Sequence, residues 1–532
     1  MKTRLTSAAA SPSRDQSWLL PASAVVGLTA LGFALRLAGI DQSLFADELS
    51  TYWVSTKPDL GQVIEAVETN QEITPPLYFI LAWIAAKIGD PLEWLRVPSL
   101  FAGTATIPLT YLLGVKTVGR GPALVGATLI ALSPFLIFYS IEARAYGLMT
   151  MLALLSTLAL LAALERGRVG WWATYAGCAA AAMYTHYTAI FVLLAQAGWA
   201  AWAYPRSRGA LVVASAGAAL AFAPWMPSFA DDSDSPTQEL IEYIDPFGLD
   251  ALQRGLLRWS LGQPIVPLNT LPGTIGLVLA GVGIGVALAG LGVLLARRAT
   301  PSRGLPPPLI LVMLLAAATP LGAALYSLVG DDLFFARNLL ASWPGLALVA
   351  GALLSAVPGP FRIAATALVL GAFALGAVKS LDPEAQRPDY RGAAEFVDRS
   401  VGPQDPVVDD PPAAPAPVTT LQVSLEERHR FIQVRERALL TRFLGYPAPS
   451  TAAVRRRAAS AEGRRLVAVA SGPPREIERP PPDVARWLPR GFELTETRRY
   501  RGYVPSALLP RAASGRIDLG VYVFTERRRR GE

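Results

Sequence analysis

The sequence predicts an all-α polytopic membrane bundle of about eleven helices followed by a small C-terminal α/β domain. Three observations carry that expectation. Of 532 residues, 52% are hydrophobic and only 17% charged. The apolar residues gather in runs of the roughly 17–25 residues needed to cross hydrocarbon. After residue 380 the runs stop, Lys disappears, and Arg and Pro rise.

The first run, 18–40, follows Lys2, Arg4 and Arg14. It exceeds the roughly 7–15-residue core of a cleaved signal peptide, so it reads as a retained anchor behind a cytoplasmic tail, 1–17. Further runs lie near 97–115, 121–140, 145–164, 170–185, 187–204, 209–226, 272–296, 307–329, 339–357 and 361–378, giving a membrane domain over 18–380. With the N-terminus inside, Lys116, Arg120, Arg166, Arg168, Arg206, Arg208, Arg297, Arg298, Arg303 and Arg362 fall on the cytoplasmic side, where short loops retain such residues. Nineteen of the 21 acids before residue 380 then lie in outer loops, and an odd number of crossings places 381–532 outside the plasma membrane. The segment Leu77 to Gly89 would cover only about 20 Å as a helix, against a core of roughly 30 Å. It reads as a helix in the outer interface, with a short tilted span as its alternative.

The last 152 residues hold 26 of the 48 basic residues against 20 of the 41 acids, so +6 of the net charge of +7 resides in the exported part and a nucleic-acid partner is excluded by topology. The single cysteine, Cys178, excludes an internal disulfide, and two histidines cannot build a Cys/His zinc cluster.

Polar groups at the membrane boundary mark candidate chemistry. The first outer loop, 41–96, opens with DQSLFADELSTYW, which sets Asp47 and Glu48 just beyond the first span. A carboxylate there faces the leaflet in which a lipid-linked substrate is anchored, a position suited to a general base. The competing reading makes the two first-turn acids of an interfacial helix, favoured by its dipole. Three more motifs fall at outer helix ends: EARAY at 142–146, YTHY at 184–187 and FFARN at 334–338. From them Glu142, Arg144, Tyr146, His186 and Tyr187 are candidate substrate-binding residues, although Glu142 and Arg144 also fit a surface pair and His186 an aromatic belt. A departing phosphate needs a fixed cation, and the guanidinium fork matches its oxygens. Arg337 is the first choice, with Arg96 and Arg144 next, whereas Arg36 near the end of the first span reads as snorkelling.

These residues resemble the integral-membrane glycosyltransferases of the C-type superfamily, particularly the dolichyl-phosphate-mannose protein mannosyltransferases of glycosyltransferase family 39 and the bacterial aminoarabinose lipid A transferases. The likeness rests on ADE at 46–48, TPPLYF at 74–79, LRVPS at 95–99, YSIEAR at 139–144 and ARNLLASWP at 336–344. It implies the C-type fold, a catalytic aspartate at Asp47 with Glu48 beside it, and a covering outer loop, here 227–271. Thr74 stands where the family commonly has His or Lys before the Pro pair. The implied reaction is inverting transfer of a sugar from a polyprenyl-phosphate donor to a hydroxyl acceptor on a protein, lipid or cell-envelope glycan. Asp47 would take the acceptor proton while arginines stabilise the leaving phosphate. Arginine could suffice for a monophosphate leaving group without metal, although Asp47, Glu48, Glu142 and His186 could supply ligands to a divalent cation.

Beyond the last span, RPDYRGAAEFVDRSV (387–401) has helical spacing, and DPVVDD (405–410), RLVAVAS (465–471) and DLGVYVFTE (518–526) read as strands. Pro-rich 411–417 and 480–482 read as loops. Arg455 to Arg457 and Arg527 to Arg530 read as solvated faces rather than lipid-headgroup sites. Tyr390 and Arg391, just past the membrane, are placed to reach the site. A lipid or lipid-linked-sugar flippase is the competing class. Transporters set ionisable groups near the midplane and often show repeats, whereas here the acids lie in outer loops.

Overall fold

The computed structural model describes residues 16–68, 72–233, 235–237, 239, 246–296, 305–357, 359–410, 417–434, 451–459, 463–503 and 516–527. Most of the expected cytoplasmic tail, with Lys2, Arg4 and Arg14, lies outside these residues, as do Arg297, Arg298, Arg303, Arg528 to Arg530 and parts of the 227–271 loop.

Every expected span is helical. Among the described residues seven helices are long and apolar enough to cross a membrane, and a pair of helices, Arg120–Leu132 and Pro134–Ser140, bent by 59°, makes eight when counted as one broken span. The chain is a multi-pass membrane protein. The break follows from Pro134, which has no N–H to donate and disfavours helical geometry in the residue before it. Ser133 caps the second piece by accepting from the Leu136 N–H at 3.3 Å. The helices Val169–Met183 and Ala189–Ala203, 15 residues each, are only about 22 Å long at ~1.5 Å per residue.

The segment 41–96 forms four short helices, Asp47–Ser55, Leu60–Val67, Leu77–Ala86 and Pro91–Trp94. Asp59 and Asp90 cap the second and fourth through the amides of Gln62 and Leu92. Leu77–Ala86 is docked by Tyr78, whose hydroxyl donates to the Leu95 carbonyl, and by Trp83, whose indole donates to Lys57. At the opposite end of the bundle Lys116 pairs with Glu165 at 2.8 Å.

The C-terminal part is a five-stranded sheet, β1 Pro406–Asp410, β2 Arg430–Gln433, β3 Arg465–Gly472, β4 Phe492–Tyr500 and β5 Asp518–Glu526, in the order β2-β1-β3-β5-β4. β1 runs parallel to β2 and β3, while β5 is antiparallel to β3 and β4. β1, β3 and β5 are the three strands legible as apolar runs. β2 and β4 lie at the edges, and β4 is exposed along most of its length. The helix Tyr390–Ser400, capped by Asp389, packs on the sheet in a core that also takes in Phe45 of the first interhelical segment. Arg455 to Arg457 are exposed.

Candidate active site

Asp47 begins its helix immediately after Ala46, which holds φ 48° and ψ −116°. A positive φ in a residue with a Cβ costs on the order of 1–3 kcal/mol and persists only where its surroundings fix it. Consecutive helical residues diverge by about 100° around the axis, so Asp47 and Glu48 serve different neighbourhoods.

Asp47 faces a cavity of about 780 Å³. Its Oδ2 accepts from Arg337 Nη1 at 3.0 Å, and both side chains remain about one-third exposed. Arg337 arrives on a short 3₁₀ turn, Ala336–Ser342. Glu48 turns the other way and is fully buried. It accepts from Arg96 Nε and Nη2 at 2.8 and 2.7 Å, from Arg387 Nη1 at 2.6 Å and from the Ala143 N–H at 2.7 Å. Burial alone would raise its pKa, but Arg387 and Arg96 outweigh burial and hold it below the usual carboxylate value.

Arg387 is one of two site residues that the sequence motifs do not single out. It follows the last span, reaches back into the cavity wall, and pairs with Glu142 as well as Glu48. Its signal was the RPDYR run, from which Tyr390 and Arg391 were chosen instead. Tyr390 is buried in the sheet-domain core, and Arg391 reaches Glu93 at 3.5 Å; the backbone amides of both donate to Ser43. These two dock the C-terminal domain and do not line the cavity. Arg96 does not line it either, because its guanidinium is spent on Glu48 and on the carbonyls of Ile40, Gln42 and Ser43.

Glu142 is pushed up to about 8, chiefly by burial, with Arg387 pulling down and the charges of Glu48 and Asp47 pushing up. Arg144 grips Glu72 with two bonds of 2.9 and 3.0 Å and donates to the Thr74 hydroxyl at 3.0 Å. Thr74, the departure from the family pattern, thus accepts from a cation. Glu72 was also missed; it adjoins the TPPLYF motif without belonging to it. His186 is held down to about 3 by burial and then by Arg144 and Arg337, so the imidazole is neutral. Its Nδ1 lies 2.9 Å from the Thr188 hydroxyl and 3.3 Å from the Thr188 amide, and the tautomer in which Nδ1 accepts from the amide carries its proton on Nε2. The Tyr146 ring lies 5.3 Å from that of His186, tilted by 46°, and Tyr187 donates to Asp232 at 2.5 Å.

Asp47, Glu142, Arg144, Tyr146, His186, Tyr187 and Arg337 therefore share one cavity. Away from this polar end the wall is apolar, formed by residues such as Met183, Leu194, Ala197 and Phe222 from the helices Val169–Met183, Ala189–Ala203 and Arg208–Phe222. Leu194 is 61% exposed on the flank of the bundle. Among the described residues no group of three or more His, Cys, Asp or Glu is arranged to hold a metal ion.

Residues 74–229 match the family described as dolichyl-phosphate-mannose-protein mannosyltransferase. That stretch takes in Glu142, Arg144 and His186 but not Asp47, Arg337 or Arg387. No curated protein matches the chain by sequence. The structure is similar to ArnT from Cupriavidus metallidurans in its apo state, with a TM-score of 0.52, 12% identity, and 96% of this chain and 98% of that chain covered. Against the same protein bound to undecaprenyl phosphate the TM-score is 0.53, with 12% identity and the same coverage. This likeness shows a shared fold, that of the C-type membrane glycosyltransferases.

Proposed function

We propose that this chain, a C-type integral-membrane glycosyltransferase by fold, moves a sugar from a polyprenyl-phosphate donor to a hydroxyl acceptor at the outer face of the membrane, with inversion. The observation that carries the reading is the Asp47 carboxylate held 3.0 Å from the Arg337 guanidinium at the polar end of an otherwise apolar cavity. A lipid phosphate fits that division, with its head on guanidinium and its chain along the apolar wall. Undecaprenyl phosphate bound to the similar ArnT supports this class of ligand.

In the proposed step Arg337 passes from Asp47 to the donor phosphate, which frees the carboxylate to accept the acceptor proton. The acceptor oxygen attacks the anomeric carbon, the bond from that carbon to the phosphate oxygen breaks, and the electron pair leaves with the polyprenyl phosphate. Arg337 stabilises the charge that develops there. Neutral His186 offers an Nε2–H to substrate oxygen without adding charge. Glu48 and Arg96 hold the helix that presents Asp47, and Glu142 and Arg387 brace the wall behind it. The C-terminal domain lies at the same membrane face as the site.

The test incubates purified protein with radiolabelled polyprenyl-phosphate sugars and a cell-envelope extract. Label should reach an acceptor with the unmodified protein and fall by ~10²–10⁴-fold with Asp47→Asn. Normal transfer by that variant removes Asp47 from the base role. Label that crosses vesicle bilayers without transfer establishes the flippase instead.

A further inference from the structure

Arg36 is a cation buried in the bundle that the proposed chemistry does not use. It is wholly inaccessible, so it does not snorkel. Its donors converge on the broken span. Nη2 donates to the Ile130 carbonyl at 3.1 Å and Nη1 to the Ala131 carbonyl at 3.3 Å. Ile130 O is the acceptor that a continuous helix would pair with the amide of residue 134, and Pro134 has none. Nη1 also donates to Gly32 O at 2.8 Å, and Nε to Ser140 Oγ at 2.9 Å.

One guanidinium thus ties the first helix to both pieces of the break. Such a break within a bilayer needs its freed carbonyls satisfied from elsewhere. Ser140 is further confined by Gly103, where an added Cβ would lie 2.0 Å from its Oγ. Two residues beyond Ser140 the chain delivers Glu142, and two further on Arg144.

We infer that Arg36 is a positioning residue, whose guanidinium replaces the backbone donor missing at Pro134 and thereby fixes the second half of the broken span that carries Glu142 and Arg144 into the cavity. The inference rests on the proposed transfer for its kinetic readout but not for its binding readout.

Arg36→Met, Arg36→Lys, Ser140→Ala and Pro134→Ala are compared in detergent for transfer kinetics, undecaprenyl-phosphate binding by tryptophan fluorescence, and thermal unfolding. Arg36→Met should lower kcat ~10–100-fold, the size expected of one lost charged hydrogen-bond set, while donor binding changes less than about threefold, because Arg337 stands on another element. Arg36→Lys should recover part of kcat and Ser140→Ala should show a smaller loss. Pro134→Ala restores the amide and should straighten the span, so it too lowers kcat with Arg36 intact. Unaltered kcat in Arg36→Met, or parallel collapse of kcat, binding and unfolding temperature in both Arg36→Met and Arg36→Lys, overturns the inference. Absence of transfer by the unmodified protein despite binding overturns the proposed function instead; the inference then stands if Arg36→Met lowers the unfolding temperature more than Arg36→Lys while binding changes less than about threefold, and falls if the unfolding temperature is unaltered.

Discussion

Two carboxylates adjacent in sequence have parted company in this site, and the physical reason is the angular step of a helix. Asp47 faces the cavity and one guanidinium, whereas Glu48 is enclosed by Arg96, Arg387 and the Ala143 amide. Glu48→Gln should therefore destabilise the fold by about 3–5 kcal/mol, as when one member of a buried ion pair is removed, measured by denaturation in detergent. Arg337→Ala should instead leave the fold intact and weaken donor binding about tenfold or more, since a charged hydrogen bond contributes ~1.5–3 kcal/mol. Glu142 has a folded-state pKa of about 8 against an ordinary 4.5. A raised carboxyl pKa means that the folded state binds more protons between those values, so its stabilising effect is complete below 4.5 and is lost as pH rises toward 8. Unfolding profiles across that window should decline with pH in the unmodified protein and flatten in Glu142→Gln. At this scale the sequence showed which residue types meet, because Asp47, Glu142, Arg144, His186 and Arg337 each lie in a motif at a helix end. Position in the loop alone did not separate Asp47 from Glu48, which only the family resemblance distinguished, and the sequence missed Arg387, whose contacts are about 245 and 339 residues distant.

The elements explain how those side chains are aimed. Ala46 takes a positive φ to start the Asp47 helix, and the strain re-aims one residue at the expense of backbone comfort. Ala46→Gly should be tolerated in folding, whereas Ala46→Val should cost on the order of 1–3 kcal/mol and reduce transfer, as thermal unfolding and turnover would record. Hydropathy located the bundle helices because each run is apolar over most of its length. The 59° bend was invisible to it, since Pro134 sits in an apolar stretch that reads as one span. The sheet was half legible. β1, β3 and β5 are apolar and central, whereas β2 and β4 carry the charged residues of edge strands.

Across the whole molecule, the C-terminal domain and the bundle are joined through the candidate site. Arg387 supplies charge to Glu48 and Glu142, Ser43 takes the amides of Tyr390 and Arg391, and Phe45 enters the domain's core. Arg387→Met should accordingly depress transfer at least tenfold while leaving the protein monodisperse on size exclusion, the expected loss of a buried charged contact. A conservative Arg387→Lys, which cannot bridge two carboxylates with a planar fork, should recover only part of it.

The greasy limb of the cavity includes Leu194, which is exposed on the flank of the bundle, so under the proposed function the polyprenyl donor enters sideways from the lipid. Its supply is then two-dimensional. Initial rates in proteoliposomes should follow the mole fraction of polyprenyl carrier among the phospholipids, and diluting the vesicles in buffer at fixed composition should leave turnover per protein unchanged.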